Sequence, residues 1–224
     1  MTIAAGWNHV LALRADGTVV VWGDVTQPVV TTNLSNVVAV AGGAWHSLAL
    51  RADGTVVGWG ANDYGQTNVP SGLSDVAAVA AGDTHSIVLR RDGSVKNWGL
   101  YWNGNTRMMM PTPLWATNIV SLSAGHDHDI MLRGDGSVCV WGWNGYGQTN
   151  VPAGLTNVVA VSAGGDDNLV LTATGVLLSW GRDNWGQTNV PSALTNTAAI
   201  ACGLSHNLAL GRDGLLTVWG WNQG

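Results

Sequence analysis

The dipeptide Trp-Gly occurs six times in phase along this chain of 224 residues: at Trp22-Gly23, Trp59-Gly60, Trp98-Gly99, Trp141-Gly142, Trp180-Gly181 and Trp219-Gly220. The spacings are 37, 39, 43, 39 and 39 residues. Thirteen residues before each Trp stands His9, His46, His85, His128, Asp167 or His206, and three before that always a glycine: Gly6, Gly43, Gly82, Gly125, Gly164, Gly203. Six residues before each Trp comes Asp-Gly, replaced once by Thr174-Gly175. A period near 40 residues carried end to end is the signature of a repeat architecture.

Each copy reads as strands. The run 37–43 (VVAVAGG) is short and apolar and ends in glycine. His46 to Arg51 follows as a second strand, Asp53-Gly54 marks a hairpin turn, and Thr55 to Trp59 makes a third strand. The segment Gly65-Gln66-Thr67-Asn68-Val69-Pro70, repeated at 147–152 and 186–191, reads as a fourth, edge strand stopped by proline. Ser35-Asn36 and Thr156-Asn157 turn the chain into the next copy. The acids are all Asp, the only Lys is Lys96, and there are 31 Gly. Glu and Lys favour helices, so this composition points away from them.

The strands are apolar on both faces, as in Val10-Leu11-Ala12-Leu13 and Ile87-Val88-Leu89. A sheet with one wet face would alternate, so each small sheet is expected to be covered on both sides. Radial stacking in an all-β propeller does this. The expectation is six blades of about 39 residues, each of four short antiparallel strands, closed into one domain over residues 1–224 by packing of the first copy on the sixth. First strands rich in Ala, Gly and Ser suit a crowded axis, and the repeated Trp, among 13 in all with no Phe, fills the wider gaps outside it.

The pattern Gly-x-x-His-x-Leu-Ala-Leu-x-x-Asp-Gly-x-Val-x-x-Trp-Gly resembles the regulator of chromosome condensation repeat. The period and the GQTNVP segment are most similar to short bacterial forms of it, among them the propeller-type β-lactamase inhibitor protein. The resemblance implies a binding scaffold. In the inhibitor the contact loops are equivalent to Trp7-Asn8 and Ala44-Trp45. For the family's founding member it implies nucleotide exchange on a small GTPase.

Other classes find little support. A net charge of −5 and no basic run offer no attraction to nucleic acid or to anionic membranes. No apolar stretch reaches the ~20 residues of a spanning helix. Met1 to Gly6 lacks the regions of a signal peptide, which leaves the compartment open, with an extracellular or cell-surface place favoured. Cys139 and Cys202 stand where other copies have small apolar residues, and they read as buried core. No nucleophile elbow, phosphate loop or zinc spacing occurs, so no enzyme, cofactor or metal is expected. His126-Asp127-His128-Asp129 has the composition of a metal cluster, but His128 is the repeat histidine. The repeated histidines read as ring-to-backbone bonds within or between copies.

Residues that break the repeat carry the functional expectation. Between Gly and His, Trp7 and Trp45 lie in neighbouring copies and suit a binding hot spot. Asp83, Asp127 and Asp166, with Asp167, make the following copies acidic. Beyond Trp-Gly, Trp102, Trp143 and Trp221 share an offset and are free to anchor a partner or stack on a sugar. Tyr64, Tyr146 and Trp185, each just before Gly-Gln-Thr-Asn, read as repeat packing. The third linker, Leu100 to Thr117, is longer by four residues and carries Met108-Met109-Met110, with Met109 a candidate contact. For all of these the alternative is an ordinary solvated or self-packed loop. The expected function is a non-enzymatic scaffold that binds a protein partner through one loop face. The alternatives are a carbohydrate-binding propeller, a structural repeat domain of a larger protein, or an exchange factor.

Overall fold

A computed structural model describes residues 2–23 and 34–221, and among these every regular element is a strand. Six three-stranded antiparallel sheets follow one another, one per sequence copy, and a two-stranded hairpin lies in the third linker. The chain divides into two compact units, Met1–Thr117 with copies one to three and Asn118–Gly224 with copies four to six. No helix among the described residues is long and apolar enough to cross a membrane.

Copy two shows the plan. Val37–Gly42 pairs with His46–Arg51, which pairs with Val56–Gly60. The Asp-Gly turn between the last two strands is held by Asp53, whose carboxylate accepts from Thr55 N at 2.9 Å and Thr55 Oγ1 at 2.7 Å. These bonds hold the exposed carboxyl below its ordinary range. Asn36, Asn118 and Asn157 enter first strands at φ of 58, 57 and 56°, a left-handed geometry that Asn tolerates better than most residues. The register slips at one place in copies two to six, between Val37 and Ala39 and their equivalents. The skipped residue, such as Val38, Val120 or Val159, then faces solvent.

The cores lie between successive sheets. In the first unit, Leu11, Leu13 and Val19 of copy one pack on Val37, Ala49 and Trp59 of copy two. Leu48, Leu50 and Val56 of copy two pack in turn with Val76, Val88 and Trp98 of copy three. In the second unit, Ile130 and Leu132 meet Val158, Val170 and Trp180, and Leu169, Leu171 and Leu177 meet Ala209 and Trp219. The sheets of copies two and five are thus buried on two sides because their alternate residues serve two junctions.

The structure corrects one sequence expectation. The GQTNVP segments do not form a fourth strand: residues 65–70, 147–152 and 186–191 are turns and irregular chain, so each blade-like sheet has three strands. Their glutamines are buried and bonded locally. Gln66, Gln148 and Gln187 each accept the amide of the residue two before them at 2.9 Å through Oε1.

Candidate binding face

In each copy the middle strand begins where the third strand ends, because the two run antiparallel; His46, for example, stands opposite Gly60. The Gly-x-x-His loop and the start of the next linker therefore lie at the same end of every sheet. Main-chain bonds tie them: Ala61 N donates to Trp45 O at 2.8 Å, Trp143 N to Asp127 O at 2.8 Å, Arg182 N to Asp166 O at 3.0 Å and Trp221 N to Ser205 O at 2.8 Å. The two groups of candidates separated in sequence thus share one end of each sheet.

Bonds between copies make this end rigid. Trp7 N donates to Gly43 O at 3.3 Å and Ala44 N to Gly82 O at 3.2 Å in the first unit; His126 N donates to Gly165 O at 3.0 Å in the second. The repeat histidines lie beneath. His9 Nε2 meets Ser47 Oγ at 2.8 Å, His46 Nε2 meets Ser86 Oγ at 3.0 Å and His128 Nε2 meets Asn168 Oδ1 at 3.2 Å. Ser86 Oγ already donates to Gln66 O at 2.8 Å, so His46 carries its proton on Nε2 and donates. The histidines therefore serve the fold, as expected, but their partners are side chains of the next copy where backbone was anticipated. Burial drives the His46 ring down to about 3, which keeps it neutral, and lowers that of His9. In copy five Asp167 takes the place of histidine, accepts from Asn207 Nδ2 at 2.9 Å, and is pushed up to about 7, chiefly by burial.

The candidate residues fall into three groups. Trp7 and Trp45 touch edge to face, with centroids 6.2 Å apart and planes at 61°, and Trp7 is exposed. Asp83 is paired by Arg107 Nη2 at 2.5 Å, the same guanidinium bonds Thr84 and lies 5.2 Å from the Tyr64 ring centre. Asp166 is likewise paired by Arg182 at 3.2 Å, with that guanidinium 4.8 Å from the Tyr146 ring, and Asp127 is buried. The acidity expected there is thus neutralised at Asp83 and Asp166 by two arginines that sequence inspection passed over. An Arg in the loop after Trp-Gly, following an aromatic one linker earlier, was the available signal.

The linker aromatics also differ from expectation. Trp143 and Trp221 pair with residues assigned to packing: Trp143 with Tyr146 at 5.2 Å and 83°, and Trp221 with Trp185 at 6.2 Å and 52°. Trp185 and Trp221 are both exposed. In the third linker, Tyr101–Trp102 pairs with Arg107–Met108, and Tyr101 is buried, stacked on His85 at 3.8 Å. Asn97 Nδ2 donates to Met110 O at 3.0 Å. The insertion is therefore anchored on its own copy, while Met108, Met109, Leu114 and Trp115 are exposed and Trp102 is half-buried.

The thiols offer no nucleophile. Cys139 is buried, its Sγ 3.8 Å from Met131 O, and burial raises its pKa; Cys202 is half-buried with Sγ 3.4 Å from Ser162 O. Among the described residues no three His, Cys, Asp or Glu side chains gather as metal ligands. His128 Nε2 meets Asn168 Oδ1 at 3.2 Å.

Solved structures share this architecture. Yeast RCC1 (Prp20) bound to Kap60 aligns at 24% identity and TM-score 0.70, over 82% of this chain and 56% of that one. The ectodomain of the receptor kinase CR4 from Physcomitrella patens aligns at 24% and 0.82, over 98% and 64%. Prp20p from Saccharomyces cerevisiae, described with its binding to Gsp1p and histones, aligns at 25% and 0.68, over 82% and 57%. The chain spans less than two thirds of the length of each. No curated protein matches it in sequence. The profile of the regulator of chromosome condensation (RCC1) repeat matches residues 2–24, 37–66, 76–105, 119–148 and 198–223, passing over the fifth copy, in which Asp167 and Thr174 break the pattern. The chain belongs to the regulator of chromosome condensation (RCC1) repeat family.

Proposed function

We propose that residues 1–224 act as one non-enzymatic propeller domain, one blade per copy, that binds a protein partner through the loop end carrying Trp7 and Trp45. The observation behind this is the Trp7–Trp45 contact at 6.2 Å on loops held by bonds from Trp7 N to Gly43 O and Ala61 N to Trp45 O. Aromatic side chains on a rigid support lose little entropy on binding and dominate interface energies. The RCC1 relatives described with Kap60, Gsp1p and histones use this fold with protein partners, which supports the mode and names no partner here. In the same unit Asp83 contributes to the rim as a paired group and Met109 as an adaptable apolar one, while Asp127 and Asp166 hold the equivalent loop positions of the second unit.

The test is capture of partners on immobilised protein, compared between the wild type, a Trp7→Ala/Trp45→Ala variant and an Asp53→Ala variant at the opposite end of the sheet. Selective loss with the tryptophan pair is expected. Equal capture by all three would refute the proposal. A second reading, carbohydrate binding, rests on the exposed Trp185–Trp221 pair; Trp143 and Trp102 share the offset of Trp221 in their own linkers. Simple sugars would then quench tryptophan fluorescence, and Trp221→Ala would abolish the quenching.

A further inference from the structure

The tripeptide Trp-Asn-Gly occurs once in each unit, as Trp102-Asn103-Gly104 and Trp143-Asn144-Gly145. Glycine puts no side chain beside its nitrogen, so an asparagine before it is open to attack by that nitrogen. The fold treats the two steps differently. Asn103 and Gly104 lie in the exposed turn between Tyr101–Trp102 and Arg107–Met108. Asn103 Oδ1 accepts from Asn105 N at 3.0 Å and from Thr106 N at 2.8 Å. Its Nδ2 donates to the Met108 thioether at 3.0 Å, a weak acceptor. Asn144 Oδ1 accepts from Thr149 N at 2.8 Å, while its Nδ2 donates to Asn150 Oδ1 at 3.0 Å, a full amide acceptor. Trp143 also screens Gly145: a Cβ there would stand 2.1 Å from the indole Cζ2.

Two main-chain N–H groups aimed at one carboxamide oxygen stabilise the charge that this oxygen gains when its carbon is attacked. We propose that Asn103 is a site of self-modification, converted to aspartate or isoaspartate through attack of Gly104 N on its Cγ. The attack forms a C–N bond. The Gly104 proton passes to Nδ2, the Cγ–Nδ2 bond breaks, and ammonia leaves a cyclic imide. Water, the one co-reactant, opens the ring: its hydroxyl joins one imide carbonyl and its proton returns to nitrogen. Nothing is oxidised or reduced. Opening at Cγ gives aspartate, and opening at the main-chain carbonyl gives isoaspartate. The aspartate suits this turn, because Asp53, Asp92 and Asp135 accept from the nitrogen two residues on at 2.9, 2.8 and 2.9 Å, as Asn103 does from Asn105. It adds a negative charge to the hairpin whose Arg107 neutralises Asp83.

Incubation of the wild type in heavy-oxygen water at mildly alkaline pH, folded and in urea, tests this. Peptide mapping by mass spectrometry then reads the label taken up at Asn103 and at Asn144. In the unfolded chain the shared Trp-Asn-Gly sequence sets both rates. In the folded protein the ratio of Asn103 to Asn144 should rise about tenfold or more, the factor that a hydrogen bond to a developing charge supplies. Asn103 should also react no more slowly folded than unfolded, because its turn assists the attack. Both labelled isomers, aspartate and isoaspartate, should appear at position 103. A smaller rise in the ratio, a reversal, or an Asn103 that folding protects would overturn the proposal.

Discussion

The indole N–H of Trp98 donates to the main-chain carbonyl of Gln66, thirty-two residues earlier, at 2.8 Å. Ser86 Oγ donates to the same oxygen at 2.8 Å. The arrangement recurs in the second unit, where Gln148 O takes Trp180 at 3.0 Å and Asn168 at 2.9 Å, and Gln187 O takes Trp219 and Asn207, both at 2.9 Å. One linker carbonyl thus joins two strands of the following copy, where packing alone would be non-directional.

That bond separates tryptophans identical in the repeat pattern. Trp98→Phe or Trp180→Phe should lower unfolding free energy by about 1–3 kcal/mol through a lost buried bond and a small cavity. Trp22→Phe, at an exposed indole, should change it by less than about 0.5 kcal/mol. Denaturant titration of the three variants checks the contrast.

Glycines divide in the same way. A Cβ on Gly43 would overlap the His46 ring and the Gly82 carbonyl, so Gly43→Ala should cost about 1–3 kcal/mol. Gly72 at φ +76° has open space around it, so Gly72→Ala should cost only the backbone strain, about 1 kcal/mol. Thermal unfolding of the pair distinguishes crowding from conformation.

Asp167 makes the second unit sensitive to pH. Its folded pKa of about 7 lies above the ordinary 3.8 because burial, helped by Asp166 and Asp183, opposes the charge. The folded state therefore holds a proton that the unfolded state gives up. The associated stability is full below about pH 4 and is lost as pH rises to 7, a change on the order of 4 kcal/mol. Asp167→His should restore the donor that His128 offers Asn168 and remove that loss, seen as a higher unfolding midpoint at pH 8. His46 acts oppositely. Its pKa is depressed from 6.5 to about 3, so its contribution is present above pH 6.5 and is lost as pH falls toward 3. In His46→Gln the slope over that lower window should flatten.

Arg182→Ala should cost no more than about 1 kcal/mol, because its pair with Asp166 is partly solvated. Its larger effect should be local, leaving Asp166 unpaired and the Tyr146 ring without its cation. Urea titration together with a partner-capture assay separates the two effects.

The copies themselves were visible in the sequence because their causes are local. Asp53 caps its own turn two residues away, Asn36 turns by its own backbone preference, and Leu48 with Ala49 alternates along one strand. The histidines were legible as structural from their recurrence, although Ser47 and Ser86 as partners were not, being thirty-eight and forty residues away. The GQTNVP segment was misjudged for a related reason. Its extended pattern suggested an edge strand, but the energetic role of Gln66 lies in a buried side chain and a carbonyl aimed at the next copy.

Periodic burial, turn chemistry and the three-strand repeat were thus determined by residues close in sequence, whose propensities act on their neighbours. Only the tertiary structure decided which acids are paired with arginine and that the two loop groups share one end of each sheet. Those outcomes depend on distances between segments a whole repeat apart, and a hydrophobic pattern specifies that a face needs cover without specifying what supplies it.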